Sequence, residues 1–95
     1  MPGPMPGPHF ESWRLALAPG DRRLSSALEW TDALVLVEDG RVRVECLGGG
    51  EWTYARGDLL VLAWLPLLAL VNPGTEDARL LAIRRRPTIP LGFNQ

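Results

Sequence analysis

Short apolar or alternating segments divide this chain, and each of them ends at a turn. Residues 41–46 alternate cleanly, with Val42, Val44 and Cys46 on one face and charged side chains on the other, which predicts a strand with one buried face. Residues 34–37 are apolar throughout, which is typical of a strand covered on both faces. Eight segments are strand candidates in all: residues 13–18, 25–30, 34–37, 41–46, 51–55, 59–62, 67–71 and 79–84.

Glycine, proline and acidic residues separate these segments at intervals of about ten residues, which predicts an all-β sandwich or barrel. Asp39-Gly40 lies between two apolar runs and predicts a hairpin turn. No segment has a sustained helical period, although residues 21–30 would accommodate one short helix in place of a strand.

We expect a single folded domain at residues 9–86. The first eight residues repeat the tetrapeptide Met-Pro-Gly-Pro and predict a flexible Pro/Gly-rich tail, and residues 87–95 are interpreted as a C-terminal tail. A domain of this size must have an apolar, economical core, and 46% of the chain is hydrophobic.

The charge balance removes several classes of function. The formal net charge is -1, which predicts no nucleic-acid or membrane surface as a partner. All ten basic residues are arginine, so Schiff-base chemistry and a P-loop lysine are excluded. Arg84-Arg85-Arg86 is a basic run that would suit an acidic partner, but we interpret it as a solvated strand end.

Cys46 is the only cysteine, so an internal disulfide and a cysteine-based zinc site are excluded. Its place on the apolar face of residues 41–46 predicts a buried, inert thiol rather than a nucleophile. The first residues lack a secretory signal pattern, and residues 59–71 are apolar but too short to span a bilayer. We therefore expect a cytoplasmic protein.

The spacing of the glycine turns resembles the two sequence motifs of the cupin superfamily. Residues 20–40 fit the first motif from its opening to its closing glycine. Residues 57–72 fit the spacing of the second motif from its first glycine to its asparagine, Asn72, but Ala63 and Leu65 stand in place of its proline and second glycine. The resemblance covers about residues 18–86. It implies a single, small double-stranded β-helix, which is a jelly-roll barrel.

The resemblance also indicates where a cupin holds its metal ion, and this chain lacks the side chains for it. The two histidine positions of the first motif fall on Ser26 and Leu28, its glutamate position falls on Ala33, and the histidine of the second motif falls on Leu68. A transition metal needs imidazole and carboxylate ligands that converge on one ion. We therefore expect no metal and no cofactor.

The wider cupin family includes metal-free sugar epimerases with a histidine base and a tyrosine acid, which leaves a metal-independent enzyme as the alternative function. Tyr54 is on a predicted strand, but the only histidine, His9, is far from it in sequence, and acid–base catalysis needs both groups beside the substrate. Glu29 and Asp32 would line a cavity mouth or lie in solvated turns. The interpretation we favour is a non-catalytic binding or interaction module.

The former metal region predicts what such a module would bind. An apolar or aromatic small molecule would fit near Ser26, Leu28, Ala33, Tyr54, Trp64 and Leu68, since this region cannot compensate a buried charge. The alternative is that Leu28, Leu68 and a tryptophan fill the space themselves. Apolar surface in excess of the core predicts a homodimer, with residues 9–17 placed to reach the partner.

Overall fold

The computed structural model describes residues 9–86, which form two four-stranded antiparallel sheets. The elements in chain order are β1 (Phe10–Leu17), β2 (Arg22–Leu24), the 3-10 helix η1 (Ala27–Trp30), β3 (Ala33–Asp39), β4 (Arg41–Cys46), β5 (Glu51–Ala55), β6 (Leu59–Leu60), the 3-10 helix η2 (Leu62–Trp64), β7 (Leu67–Val71) and β8 (Ala78–Arg85). The predicted all-β jelly roll is confirmed. The predicted tails at residues 1–8 and 87–95 lie outside the described residues.

The strands of each sheet come from distant parts of the chain. The first sheet, sheet A, has the order β1-β8-β3-β6, and the second, sheet B, has the order β2-β7-β4-β5. All eight residues of β1 pair with β8, so that Phe10 is opposite Arg85 and Leu17 is opposite Ala78. Within the described part of the chain, no helix is long and apolar enough to cross a membrane.

The core lies between the two sheets and is built by the alternating residues that the sequence pattern indicated. β3 contributes Val35 and Val37, and β4 contributes Val42 and Val44; all four are fully buried. Cys46 is also buried, as predicted, and its thiol is free. On β8 the buried residues are Ala78, Leu80 and Ala82, so a large side chain lies between two small ones.

The predicted hairpin at Asp39-Gly40 is wrong, because β3 and β4 belong to different sheets. The chain crosses from sheet A to sheet B at Gly40, which has φ 72°. A Cβ atom at this position would lie 2.6 Å from the carbonyl oxygen of Asp77 and 2.9 Å from Cα of Ala78. The glycine is therefore needed both for the left-handed backbone and for the close approach of the chain before β8.

Two of the predicted strands contain 3-10 turns instead. The predicted strand at residues 25–30 is wrong, because η1 (Ala27–Trp30) takes up four of its six residues, and the alternative of a short helix within residues 21–30 is closer to the structure. Residues 59–62 form a strand only at Leu59–Leu60, and η2 follows. In η1, serine and glutamate side chains bond to nearby backbone and side-chain groups, and such local bonds compete with strand pairing.

Candidate functional site

An open cleft of about 470 Å³ lies between the two 3-10 helices, beside the start of β3. Most of the residues that line it are apolar, and two are polar, Thr31 and Asp32. Leu28 of η1 and Trp64 of η2 lie at the two sides of its opening and are 84% and 82% exposed. The complete lining is Ala27, Leu28, Thr31, Asp32, Ala33, Leu34, Val61, Ala63 and Trp64. The volume lies within the range of small-molecule sites, about 300–1,000 Å³.

Helix η1 presents Leu28 to the cleft because its other side is anchored in the core. The indole Nε1 of Trp30 donates a hydrogen bond to Oγ of Ser25 at 2.8 Å, and this hydroxyl donates to Oε1 of Glu29 at 2.9 Å. Trp30 is 3% exposed. A 3-10 helix has three residues per turn, so Leu28, two residues before Trp30, lies on a different side of the helix from Trp30, where it is exposed.

Glu29 also fastens the first turn of η1, since its Oε1 accepts a hydrogen bond from the backbone N–H of Ser26 at 3.0 Å. This bond, then the one from the Ser25 hydroxyl, lowers the pKa of Glu29 below its ordinary value, and nearby Arg23 adds to the effect. Glu29 therefore has a structural role that its interpretation as a solvated turn residue did not include.

The floor of the cleft is formed where η1 turns into β3. Asp32 has φ 62°, a left-handed conformation that aspartate tolerates better than most residues. The Thr31 hydroxyl donates to the carbonyl of Leu28 at 3.0 Å, so its donor is already used. The next residue, Ala33, is buried in the core cluster, and Leu34 lies on the opposite face of β3.

Helix η2 forms the other side of the cleft opening, and like η1 it is anchored in the core by one of its sides. Leu62 is fully buried, and the N–H of Leu65 donates to its carbonyl at 3.1 Å. Leu62 and Leu65 therefore share the side of η2 that packs on the core, and Trp64 lies off that side. Of the four tryptophans, Trp13 and Trp30 stack with ring centroids 5.9 Å apart, whereas Trp52 and Trp64 are exposed.

The structure brings three of the six predicted site residues together. Leu28, Ala33 and Trp64 line the cleft. Ser26 is the N-cap of η1, Tyr54 is half-buried on β5 opposite Val42, and Leu68 is half-buried on β7; none of these three lines it. The cleft lies at the rim of the barrel and not inside it.

The interior between the two sheets holds a packed apolar cluster. Trp30, Ala33, Leu62 and Leu70 belong to one buried cluster. The four residues that the motif spacing assigns to the liganding positions offer one hydroxyl, on Ser26, and otherwise hydrocarbon, and such a donor set does not fit a transition metal. Within residues 9–86, no three His, Cys, Asp or Glu side chains are close enough to hold a metal ion.

The residues of the enzymatic alternative are separated by the fold. His9 immediately precedes β1, an edge strand of sheet A, and its carbonyl accepts from the N–H of Arg86 at 2.7 Å. Tyr54 is on β5, an edge strand of sheet B, where its side chain packs against the core. Asp32 is the single ionisable side chain among the residues that line the cleft.

Sequence reasoning missed an ion pair stacked on a tryptophan. The guanidinium of Arg84 lies 5.0 Å from the ring centroid of Trp13, and its NH2 lies 2.9 Å from Oε2 of Glu11. The alternation of β8 would have predicted this contact. Ala78, Leu80 and Ala82 are buried, so Arg84, the next residue in this series, also faces inward. The interpretation of residues 84–86 as a solvated strand end is therefore wrong for Arg84, whereas Arg85 and Arg86 are exposed.

Two packed antiparallel sheets with short 3-10 connections define a small jelly-roll β-barrel. No protein-family model matches the chain, and no curated protein matches it. Several solved structures do, and two of them are cupin domains. One is the Cupin_2 domain of an XRE family transcriptional regulator from Enterobacter cloacae, with 20% identity, 84% of each chain covered and a TM-score of 0.63. The other is a Cupin 2 conserved barrel domain protein from Salinispora arenicola, with 19% identity, 87% of this chain and 68% of that chain covered, and a TM-score of 0.56.

The chain therefore has the cupin fold, as the motif spacing predicted. At these identities the likeness concerns the fold alone.

Proposed function

We propose that this chain is a non-catalytic, metal-free cupin-like module that binds a neutral apolar or aromatic small molecule in the cleft between η1 and η2. The observation that carries the proposal is the meeting of Leu28, Ala33 and Trp64 in one open cleft of about 470 Å³. The exposed indole of Trp64 offers a large apolar surface on which an aromatic guest can stack. Each Å² of apolar surface removed from water contributes about 25 cal/mol.

The chemistry of the lining favours a neutral guest over an anionic one. Asp32 is the charged residue of the cleft, and no arginine lines it. An anion would therefore lose its hydration without gaining a cationic partner. The same lining supports the non-catalytic assignment, because general acid–base catalysis needs two groups positioned on the substrate. A free, buried Cys46 is compatible with the cytoplasmic location that we propose.

Tryptophan fluorescence tests this proposal. The chain is titrated with a neutral aromatic probe, N-phenyl-1-naphthylamine, and in parallel with a sugar phosphate and a simple carboxylate. We expect saturable binding of the neutral probe alone, and Trp64→Ala should weaken it at least about tenfold. Trp52→Ala is the matched control, since Trp52 is also exposed, at 51%, but does not line the cleft.

Two results would contradict the proposal. One is saturable binding of the sugar phosphate or the carboxylate without a response to the neutral probe. The other is an equal loss of binding in both tryptophan variants. The metal-free part has its own test, because elemental analysis of purified, tag-free protein that gives a stoichiometric transition metal would overturn it.

A further inference from the structure

The outer faces of the two sheets differ sharply. On sheet B, arginine and glutamate side chains cover the outer face: Nε of Arg22 lies 3.0 Å from Oε1 of Glu45, and NH2 of Arg43 lies 3.4 Å from Oε2 of the same residue. Ala69 and Val71 are buried on this sheet, although they alternate with the inward-facing Leu70. The outer face of sheet B is therefore mostly polar, and Leu24, which is 67% exposed, is an isolated apolar residue on it.

Sheet A has no such cover over much of its outer face. Leu34 is paired with Ile83, and Leu36 is paired with both Leu81 and Leu59. These side chains alternate with the buried Ala33, Val35 and Val37 and so lie on the outer face. Phe10 extends the row on β1.

This face continues into the cleft, because Leu34 belongs to both. We call the whole area the sheet A surface, and its members are Phe10, Leu28, Leu34, Leu36, Leu59, Val61, Ala63, Trp64, Leu81 and Ile83. Its five exposed members have exposures from 42% for Phe10 to 84% for Leu28. At roughly 200 Å² for a fully exposed large apolar residue, these five alone present about 600 Å².

We propose that a second copy of this chain docks on the sheet A surface and forms a two-fold symmetric dimer. The exposed members already reach the largest apolar patch of a typical monomer, about 300–600 Å². With the half-exposed members added, the surface approaches the roughly 800 Å² that each partner contributes to a standard interface. A symmetric dimer buries the same patch on both copies.

The charges at the border of the surface favour an identical partner. Arg14 and Glu38 reach across β8 and form two hydrogen bonds, at 2.8 and 3.2 Å. Arg79 and Asp39 form a further pair at 3.9 Å. Each pair is neutral as a whole, so these four side chains would not oppose like charges when two copies meet, and a highly charged partner would gain no attraction from them. Arg85, opposite Phe10 on the same face, is an exposed cation that a symmetric dimer must place away from its copy.

The dimer has a consequence for the cleft but does not require it to bind a ligand. Ligand sites bury most of the surface of their guest, commonly 70–90% or more, whereas Leu28 and Trp64 leave this cleft open on one side. A partner lying over the sheet A surface would close it. If the wild-type chain is a dimer and no probe binds, the proposed function fails and the docking surface stands.

Sedimentation velocity and light scattering on the full chain at micromolar concentration test the proposal. We expect twice the mass of one chain for the wild type. Leu59→Glu should raise the dimer dissociation constant at least about 100-fold, because a symmetric interface holds the buried charge twice. Leu47→Glu is the matched control: Leu47 is also 61% exposed, but it lies on the turn between β4 and β5 of sheet B.

Every result of these measurements either supports or contradicts the proposed dimer. A monomeric wild type, or a mass above that of two chains, overturns the proposal. So does a dimer that survives Leu59→Glu, or one that Leu47→Glu disrupts to the same extent. Far-UV circular dichroism checks the fold of each variant, and Leu34→Glu, at a second exposed position of the same surface, replaces Leu59→Glu if that variant does not fold.

Discussion

Nδ2 of Asn72 donates a hydrogen bond of 2.9 Å to the carbonyl of Leu17, which joins the end of β7 to the end of β1 across 55 residues of sequence. The same amide group donates to the carbonyl of Glu76 at 2.7 Å, and its Oδ1 accepts from the N–H of Gly74 at 2.9 Å. Asn72 is 1% exposed. It also occupies the asparagine position of the second cupin motif, so this motif position has a structural role here that needs no metal.

Replacement of Asn72 by alanine should destabilise the fold by about 2–3 kcal/mol, because it leaves buried backbone groups without partners. Urea unfolding monitored by tryptophan fluorescence measures this change. The control is Thr75→Ala in the same loop, since Thr75 is exposed, and its effect should stay within about 0.5 kcal/mol. Equal effects of the two substitutions would show that the amide bonds are not what stabilises this loop.

Substitutions at Gly40 and Gly20 separate the cost of a positive φ from the cost of a steric clash with an added Cβ atom. Both have positive φ, 72° and 83°, but a Cβ at Gly40 would collide with the backbone of Asp77 and Ala78, whereas one at Gly20 would meet nothing within 4 Å. Gly20→Ala should cost about 1–2 kcal/mol from conformational strain alone. Gly40→Ala should cost clearly more, since the chain crossing between the sheets must shift, and thermal unfolding of the two variants compares them. The prediction fails if the two melting temperatures fall equally.

The sequence predicted strands where the signal is local. The bounds of β4, β5 and β7 agree with the structure because the side-chain pattern of these segments and the turns beside them lie within a few residues. Whether a turn joins two strands of one sheet depends on partners elsewhere, and for this reason Asp39-Gly40 was taken for a hairpin although β3 pairs with β6 and β8.

The sequence predicted only part of the candidate site. Motif spacing selected Leu28 and Ala33, and the position of Trp64 in the second motif selected it as well; all three line one cleft. The spacing carried no information on the direction of the side chains. Leu28 and Trp64 lie at the rim because each sits on a 3-10 turn whose neighbouring residue, Trp30 or Leu62, is anchored in the core.

The Glu29 carboxylate should give the fold a measurable pH dependence. Because its folded pKa lies below the ordinary value of 4.5, the ionised side chain stabilises the fold above that pH, and the contribution is lost as the pH falls through the lower folded value. Glu29→Gln should therefore destabilise the chain at neutral pH, by at most about 1 kcal/mol, since the side chain is 43% exposed and its interactions are screened.

The difference between wild type and Glu29→Gln should then shrink as the pH falls below the ordinary pKa of 4.5. Urea unfolding at several pH values measures it. Glu76→Gln, at an exposed position, controls for the change in net charge and should not reproduce this dependence. A difference that stays constant with pH would assign the effect of Glu29→Gln to something other than its charge.

The hydrogen bond between Trp30 and Ser25 should be separable from the packing of the indole. The donor and acceptor are 2.8 Å apart and buried, so Ser25→Ala leaves the indole N–H without its partner, at a cost of about 1–3 kcal/mol. Trp30→Phe removes the donor but also part of the stacking with Trp13.

The bond itself is measured by a double-mutant cycle, in which Trp30→Phe should cost about 1 kcal/mol less when Ser25 is already alanine. The parallel cycle with Ser26→Ala should give a coupling energy near zero, because Ser26 is exposed and contacts Glu29 through its backbone N–H. Equal coupling in both cycles would mean that Trp30 responds to any change before η1 and not to the loss of its acceptor.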